Sequence, residues 1–270
     1  MKSREPVIYV WDLTVEGTHA FGFGDIVRGM ITTYLACNKL NREMKVYIKN
    51  HPISKLLLNH QQPYTENHPP VQFIFPHTSG YIGTPAVEEY ISTHPEPVFI
   101  MTNDFYQGWN NPNYGLPNDV IQYIRNIFEL EQNCIDNIKH VISDHPKVMS
   151  TLYVRTGDNN MKPGSMQYIP NLDVPVDVNT LVTDCKELKT LHNNLYTSST
   201  TPVHSGYSTI TSTGAFDMLV DLQILCRSKK IYYKAYYDDY RKPTVTSVEY
   251  FYPPGLVSYA NKIYNVPVAA

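Results

Sequence analysis

Arg155 closes an apolar, β-branched run, Thr151-Leu152-Tyr153-Val154, and opens the turn Thr156-Gly157-Asp158. The run reads as a short buried strand, and the glycine and charges after it read as the turn that ends it. In an open α/β sheet, ligands bind beyond the carboxyl ends of strands, so an arginine at a strand's last residue is aimed at the crevice. Its guanidinium fork can make two charge-assisted hydrogen bonds to a phosphate, each roughly 1.5–3 kcal/mol. The competing reading is a surface ion pair between Arg155 and Asp158, worth about 0–1 kcal/mol. A second candidate anion site is the stretch Phe21-Gly22-Phe23-Gly24-Asp25-Ile26-Val27-Arg28-Gly29. It reads as a glycine-rich loop opening a helix, whose free N–H groups can face an anion. Its spacing is not G-x-G-x-x-G, and glycines needed only for the backbone angles of a turn account for it as well.

Positioning these groups takes alternating strands and helices. The first half predicts a strand over Val7–Trp11, a helix over Met30–Leu40 and a strand over Lys45–Lys49. It continues with a short helix over Lys55–Asn59 capped by Ser54, and strands over Val71–Phe75 and Pro97–Met101. A helical stretch then runs from Asp119 to Asp136, with an extension as far as Ser143. After His145-Pro146 the pattern restarts with the strand that ends at Arg155. There follow a strand over Thr180–Thr183, a helical turn or two over Lys186–Leu191 and another strand end at Thr201–Gly206. A buried helix over Gly214–Arg227, a strand over Lys230–Tyr233 and a closing helix over Gly255–Tyr264 complete the chain. Strand–helix alternation favours parallel sheets and an α/β class in both halves, with the boundary near 144–148.

Composition narrows the function classes. At 270 residues, with 42% hydrophobic and 17% charged, the chain has an ordinary globular balance and can bury a core. A net charge of −3 gives no bulk attraction for nucleic acid or anionic membrane, so an anion site must be local. Tyrosine stands at 22 residues against 9 phenylalanines, which suits stacking on sugars and bases as well as half-buried strand positions. Cys37, Cys134, Cys185 and Cys226 are scattered singly, as expected of reduced core thiols in the cytosol rather than of a metal cluster. No apolar run approaches the ~20 residues of a membrane span. The N-terminal Met-Lys-Ser-Arg-Glu-Pro lacks the apolar core of a signal peptide, so a soluble, cytoplasmic protein is expected. Neither a G-x-x-x-x-G-K-[ST] loop nor a nucleophilic cysteine beside a basic cradle is present, which argues against kinase and phosphatase chemistry.

Three blocks in order carry a family resemblance. Phe21 to Gly29, with Asn41-Arg42 at the end of the helix behind it, is similar to the N-terminal glycine loop of the fucosyltransferase group of GT-B glycosyltransferases. That group takes in nodulation and core α-1,6, α-1,2 and protein O-fucosyltransferases. Tyr153-Val154-Arg155-Thr156-Gly157-Asp158 resembles its His-x-Arg-x-Gly-Asp motif, with Tyr153 where the family has histidine. Thr183-Asp184, His204-Ser205-Gly206 and Asp221-Leu222-Gln223-Ile224-Leu225 resemble the elements that line its nucleotide pocket, with Thr183 in place of serine.

The resemblance implies two Rossmann-like domains with parallel sheets facing an interdomain cleft: residues 1–146 on the acceptor side and 147–270 binding the nucleotide sugar. It implies transfer of a sugar, fucose from GDP-fucose before all, to a glycan hydroxyl, with inversion. A UDP-sugar donor such as UDP-xylose, or a non-catalytic carbohydrate- or nucleotide-binding module, is the alternative. In such a transfer, charge develops on the leaving diphosphate. Arg155 would stabilise it, Asp158 would hold the arginine or its loop, and Gly22, Gly24 and Arg28 would approach from the first domain. Asp104 or Asp25 would act as general base on the acceptor, although each could instead be a cap or turn residue. Asp184, His204, Ser205 and Asp221 would contact the nucleotide or ribose. No D-x-D stands in an acidic strand–loop context, Asp217 and Asp238-Asp239 being the nearest, so no obligatory divalent cation is expected.

Overall fold

The first strand's side chains show why the chain folds around it. Val7, Tyr9, Val10 and Trp11 are all but inaccessible to solvent, as a strand flanked on both sides requires. The computed structural model describes residues 5–13, 22–59, 71–74, 85–104, 109, 111–144, 150–156, 169–200, 210–238, 247–250 and 254–269. They fall into two compact units, divided in the main between Glu131 and Gln132, with the segment Asn110–Asn113 belonging to the second.

The first unit runs β1 (Val7–Asp12), α1 (Phe23–Lys39), β2 (Met44–Lys49), a 3-10 turn (Pro52–Leu56), β3 (Gln72–Ile74), α2 (Pro85–Thr93), β4 (Val98–Thr102) and α3 (Asn118–Ile127). Among the described residues its sheet has four strands in the order β2-β1-β4-β3, every pairing parallel. Val7 pairs with Met44 on one side and Val98 on the other.

Two contacts lock this unit. The Tyr9 hydroxyl donates to the Thr102 carbonyl at 2.6 Å, and α1 passes so close that a Cβ at Gly29 would lie 1.8 Å from that oxygen. Gly29 is therefore a requirement of helix–strand approach. Arg42, 5% exposed, donates to the carbonyls of Glu5, Ile91, His94 and Glu96, tying the end of α1 to both approaches of the sheet.

The second unit runs α4 (Gln132–Val141), β5 (Ser150–Arg155), β6 (Val178–Thr183), α5 (Lys186–Leu191), β7 (Tyr196–Thr197), α6 (Ser212–Arg227), β8 (Lys230–Asp238), β9 (Ser247–Tyr250), α7 (Gly255–Tyr264) and β10 (Val268–Ala269). Its strand order among the described residues is β10-β8-β5-β6-β7, parallel throughout, with β9 added antiparallel to β8. Leu152 and Val154 of β5 sit in a core with Leu181, Cys185 and Leu188. Tyr153 points to the opposite face and is also buried, in register with Val182 and Tyr233. On α7, Lys262 is 3% exposed and donates to the Asn111 carbonyl; burial brings its pKa down to about 8.

Three sequence expectations are corrected here. The glycine stretch is not a loop ahead of a helix at Met30: α1 starts at Phe23, with Gly22 as N-cap, and Gly24, Arg28 and Gly29 lie inside it. The helix can start early because the Asp25 carboxylate accepts the Gly22 N–H at 3.0 Å, satisfying a donor that the glycines leave exposed. The single helix from Asp119 is two, α3 and α4. The chain breaks between them where Leu130 bridges Leu57, Leu58 N–H reaches Glu129, and Glu131 N–H reaches Leu56. Ser54 caps no helix over Lys55–Asn59. A 3-10 turn starts at Pro52, and its cap is His51, whose Nδ1 accepts the Ile53 N–H. The helix α2 and the strands β7, β9 and β10 stand where no element is predicted. The turn at Lys162–Gly164 and the strand end at Thr201–Gly206 lie outside the described residues.

Candidate functional site

In the second sheet the chain leaves β5 for β6 and β7 on one side, then crosses to β8 and β10 on the other. The order reverses between β5 and β8. A ligand crevice in an open α/β sheet lies at such a switch point, at the carboxyl ends of the strands. Arg155 is the last residue of β5 and is in register with Ala235 of β8, partly exposed at that edge. Arg155 thus stands at the kind of position where ligands bind in open α/β sheets.

The residue after it is fixed. Thr156 donates both its backbone N–H, at 2.7 Å, and its hydroxyl, at 2.8 Å, to the same oxygen of Asp184, Oδ1. Asp184 follows β6, and since Val154 pairs with Thr183, the register carries Asp184 alongside the β5 terminus. Its second oxygen, Oδ2, is sealed from solvent and has no hydrogen-bond partner. Burial raises the Asp184 pKa, while the Arg155 charge and the two Thr156 hydrogen bonds pull it down. The arrangement is a strand end pinned by two hydrogen bonds, with a guanidinium beside a buried carboxylate.

Further along the same edge, past β7, Ser198 and Thr200 are buried and both donate hydroxyls to Asp221 Oδ1, at 2.8 and 3.0 Å. Asp221 lies within α6 and is engaged with these protein groups. Lys189 of α5 donates to the carbonyls of Ser198 and Thr200 and to the Thr200 hydroxyl.

The first unit has its own cluster at a carboxyl edge. Asp25 Oδ1 pairs with Arg28 at 2.8 Å, while Oδ2 caps Gly22. Arg28 Nε donates to the Asn103 carbonyl just past β4, and the Asp104 carbonyl accepts from Thr32 at 3.1 Å. Asp104 is 4% exposed, and its N–H is held by the Thr102 hydroxyl. Asn103 Oδ1 is sealed without a hydrogen-bond partner. Gly22, Asp25, Arg28 and Asp104 are thus gathered around the start of α1 and the end of β4.

Among the sequence-predicted residues, Arg155 and Asp184 come together in the second unit and Asp221 joins a separate network on the same sheet edge. Asp158, His204 and Ser205 lie outside the described residues. Sequence reasoning missed Thr156 as a donor pair, and it missed Lys189, Ser198 and Thr200 altogether. A lysine on a six-residue helix and two hydroxyls in a polar stretch carry no pattern that distinguishes them from surface. Among the described residues no group of three or more His, Cys, Asp or Glu could hold a metal ion. Among them, too, no helix is long and apolar enough to cross a membrane.

These features define an α/β protein of two units, each built on a parallel sheet with polar residues gathered at its carboxyl edge. No protein-family model matches the chain, and no curated protein does. Among solved structures it is similar to NodZ α-1,6-fucosyltransferase co-crystallised with GDP, at 11% identity and a TM-score of 0.44, covering 92% of this chain and 99% of the other. The same enzyme soaked with GDP-fucose is 11% identical with a TM-score of 0.41, covering 91% and 99%. Fucosyltransferase NodZ from Bradyrhizobium is 10% identical with a TM-score of 0.43, covering 92% and 99%. Identities of this size leave the chemistry to be argued from the chain's own residues.

Proposed function

We propose that the chain is a glycosyltransferase of the fucosyltransferase group, transferring fucose from GDP-fucose to a glycan hydroxyl with inversion and without an obligatory divalent cation. The observation that carries this reading is Arg155 at the switch point of the second sheet, inside the block Tyr-Val-Arg-Thr-Gly-Asp that resembles the group's diphosphate-binding motif. Residues 147–270 bind the donor, and residues 1–146 serve the acceptor.

As the glycosidic bond to the donor sugar breaks, negative charge collects on the β-phosphate. A guanidinium placed there stabilises that charge. The Thr156–Asp184 pairing holds the backbone at the end of β5, next to the residue that carries the guanidinium. One Asp184 oxygen is taken by Thr156 and the other is closed to solvent, so Asp184 serves the donor site by holding Thr156, and Asp158, His204 and Ser205 supply the donor contacts. Asp104 takes the acceptor proton. Both Asp25 oxygens are already engaged, one by the Gly22 N–H and one by Arg28, which suits a capping role better than proton transfer. Gly22 and Gly24 shape the start of α1, and Arg28 braces the Asn103–Asp104 corner.

The experiment is a melting-temperature panel with GDP, UDP, ADP and their sugars, with and without EDTA. GDP and GDP-fucose raise the melting temperature, EDTA leaves the rise intact, and incubation with GDP-fucose and a glycan acceptor releases GDP. A rise with UDP alone moves the donor to a UDP-sugar, and loss of the rise with EDTA removes the metal-independent mechanism.

A further inference from the structure

Lys189, Ser198, Thr200 and Asp221 form a closed network in the second unit. Lys189 Nζ lies 3.1 Å from the Ser198 carbonyl, 2.9 Å from the Thr200 carbonyl and 3.1 Å from its hydroxyl. Asp221 Oδ1 accepts from the Ser198 and Thr200 hydroxyls, which are themselves 2.6 Å apart. Three elements meet here: α5 through Lys189, the chain leaving β7 through Ser198 and Thr200, and α6 through Asp221.

The network connects to the strand end that bears Arg155. Asp184 and Cys185 lead directly into α5, so whatever holds α5 holds the backbone of Asp184. The register Leu181↔Thr197 continues Ser198–Thr200 beside the carboxyl end of β6. We infer that Lys189 and Asp221 are positioning residues for the nucleotide site, fixing Ser198–Thr200 and the start of α5 so that Asp184 meets Thr156. This rests on the reading of that edge as a nucleotide site.

The charge on Asp221 supports a role beyond folding. Burial pushes its pKa up to about 6, against the pull of Lys189 and the two hydroxyls; Asp217 on the same helix adds to the rise. Tyr196 of β7 also feels its field. The folded value lies above the unfolded one, so ionised Asp221 costs stability at neutral and higher pH, and the cost is relieved as pH falls through about 6. A neutral acceptor would serve both hydroxyls without that cost. Perturbed carboxylates cluster at functional sites and also occur in structural ion-pair networks, and nucleotide affinity separates the two.

The test combines melts and calorimetric GDP titrations on the full chain and on Asp221→Asn, Lys189→Met, the double variant and Arg155→Ala. Asp221→Asn melts at or above the parent at high pH, with the margin shrinking as pH drops through about 6. It nevertheless binds GDP about tenfold more weakly, Lys189→Met does likewise, and the double variant is no weaker than either. Protonation of GDP is common to every titration and drops out of the comparison. Asp221→Asn keeps the test open should Lys189→Met fail to fold. If both folded variants bind GDP as the parent does while Arg155→Ala does not bind, the positioning role is overturned and the nucleotide site stands. An affinity loss that only tracks a lowered melting temperature also overturns it, by making the role structural. If the parent binds no GDP, the nucleotide reading fails and takes the positioning role with it.

Discussion

Thr156 and Asp184 meet through two hydrogen bonds to one carboxylate oxygen, a backbone N–H at 2.7 Å and a hydroxyl at 2.8 Å. Thr156 is 1% exposed, so removing the acceptor loses two buried hydrogen bonds, together worth roughly 1–3 kcal/mol. Asp184→Ala is expected to lower the unfolding free energy by about that amount or more in urea titrations. Asp184→Asn keeps an acceptor and removes a charge whose pKa burial has raised, so its stability at high pH is expected to match or exceed the parent's. That margin closes on acidification, because the ionised form is the one that burial penalises. A destabilised Asn variant at high pH contradicts this.

Gly29→Ala puts two effects in opposition. Alanine in a helix interior gains up to about 1 kcal/mol over glycine. Its Cβ would lie 1.8 Å from the Thr102 carbonyl oxygen and 2.6 Å from the Tyr9 hydroxyl, so α1 must move off β4. Overpacking of this kind costs about 1–3 kcal/mol, and backbone is the unyielding partner, so the clash wins. The melting temperature is expected to fall, and an unchanged one contradicts the close approach.

Arg42→Met removes hydrogen bonds to four carbonyls from a side chain that is 5% exposed. Charge-assisted bonds contribute roughly 1.5–3 kcal/mol each and are not additive, so a loss of about 3 kcal/mol or more is expected in chemical denaturation. GDP affinity of the folded fraction should be unchanged, since Arg42 is assigned to the framework.

Asp104→Asn and Asp25→Asn separate chemistry from capping. A lost general base costs about 10²–10⁴ in turnover with nucleotide affinity retained. Replacing Asp25 weakens the cap on Gly22 and the pair with Arg28, at about 1 kcal/mol of stability, with a smaller effect on turnover. Turnover that falls with Asp25→Asn and not with Asp104→Asn reverses the assignment.

The sequence made the strand ending at Arg155, the helix over Lys186–Leu191 and the closing helix over Gly255–Tyr264 legible, because apolar period and turn chemistry agree there. It misplaced the start of α1, since glycines read as loop until Asp25 is seen capping Gly22. It fused α3 and α4 because the break depends on Leu57, far away in the chain, bridging Leu130. The placement of Arg155 and Asp184 at strand ends could be read from the sequence. The clasp between Thr156 and Asp184 could not, nor the Lys189–Asp221 network, because each depends on strand register and tertiary approach rather than local pattern.

The most direct measurement of the central claim is calorimetric titration of GDP into the parent and into Arg155→Ala. The parent is expected to bind, and Arg155→Ala to lose affinity by about 3 kcal/mol or more, the loss of a bidentate charge-assisted contact, with a lowered melting temperature at neutral pH because the buried Asp184 carboxylate loses the neighbouring positive charge. Undiminished GDP binding by Arg155→Ala contradicts the account.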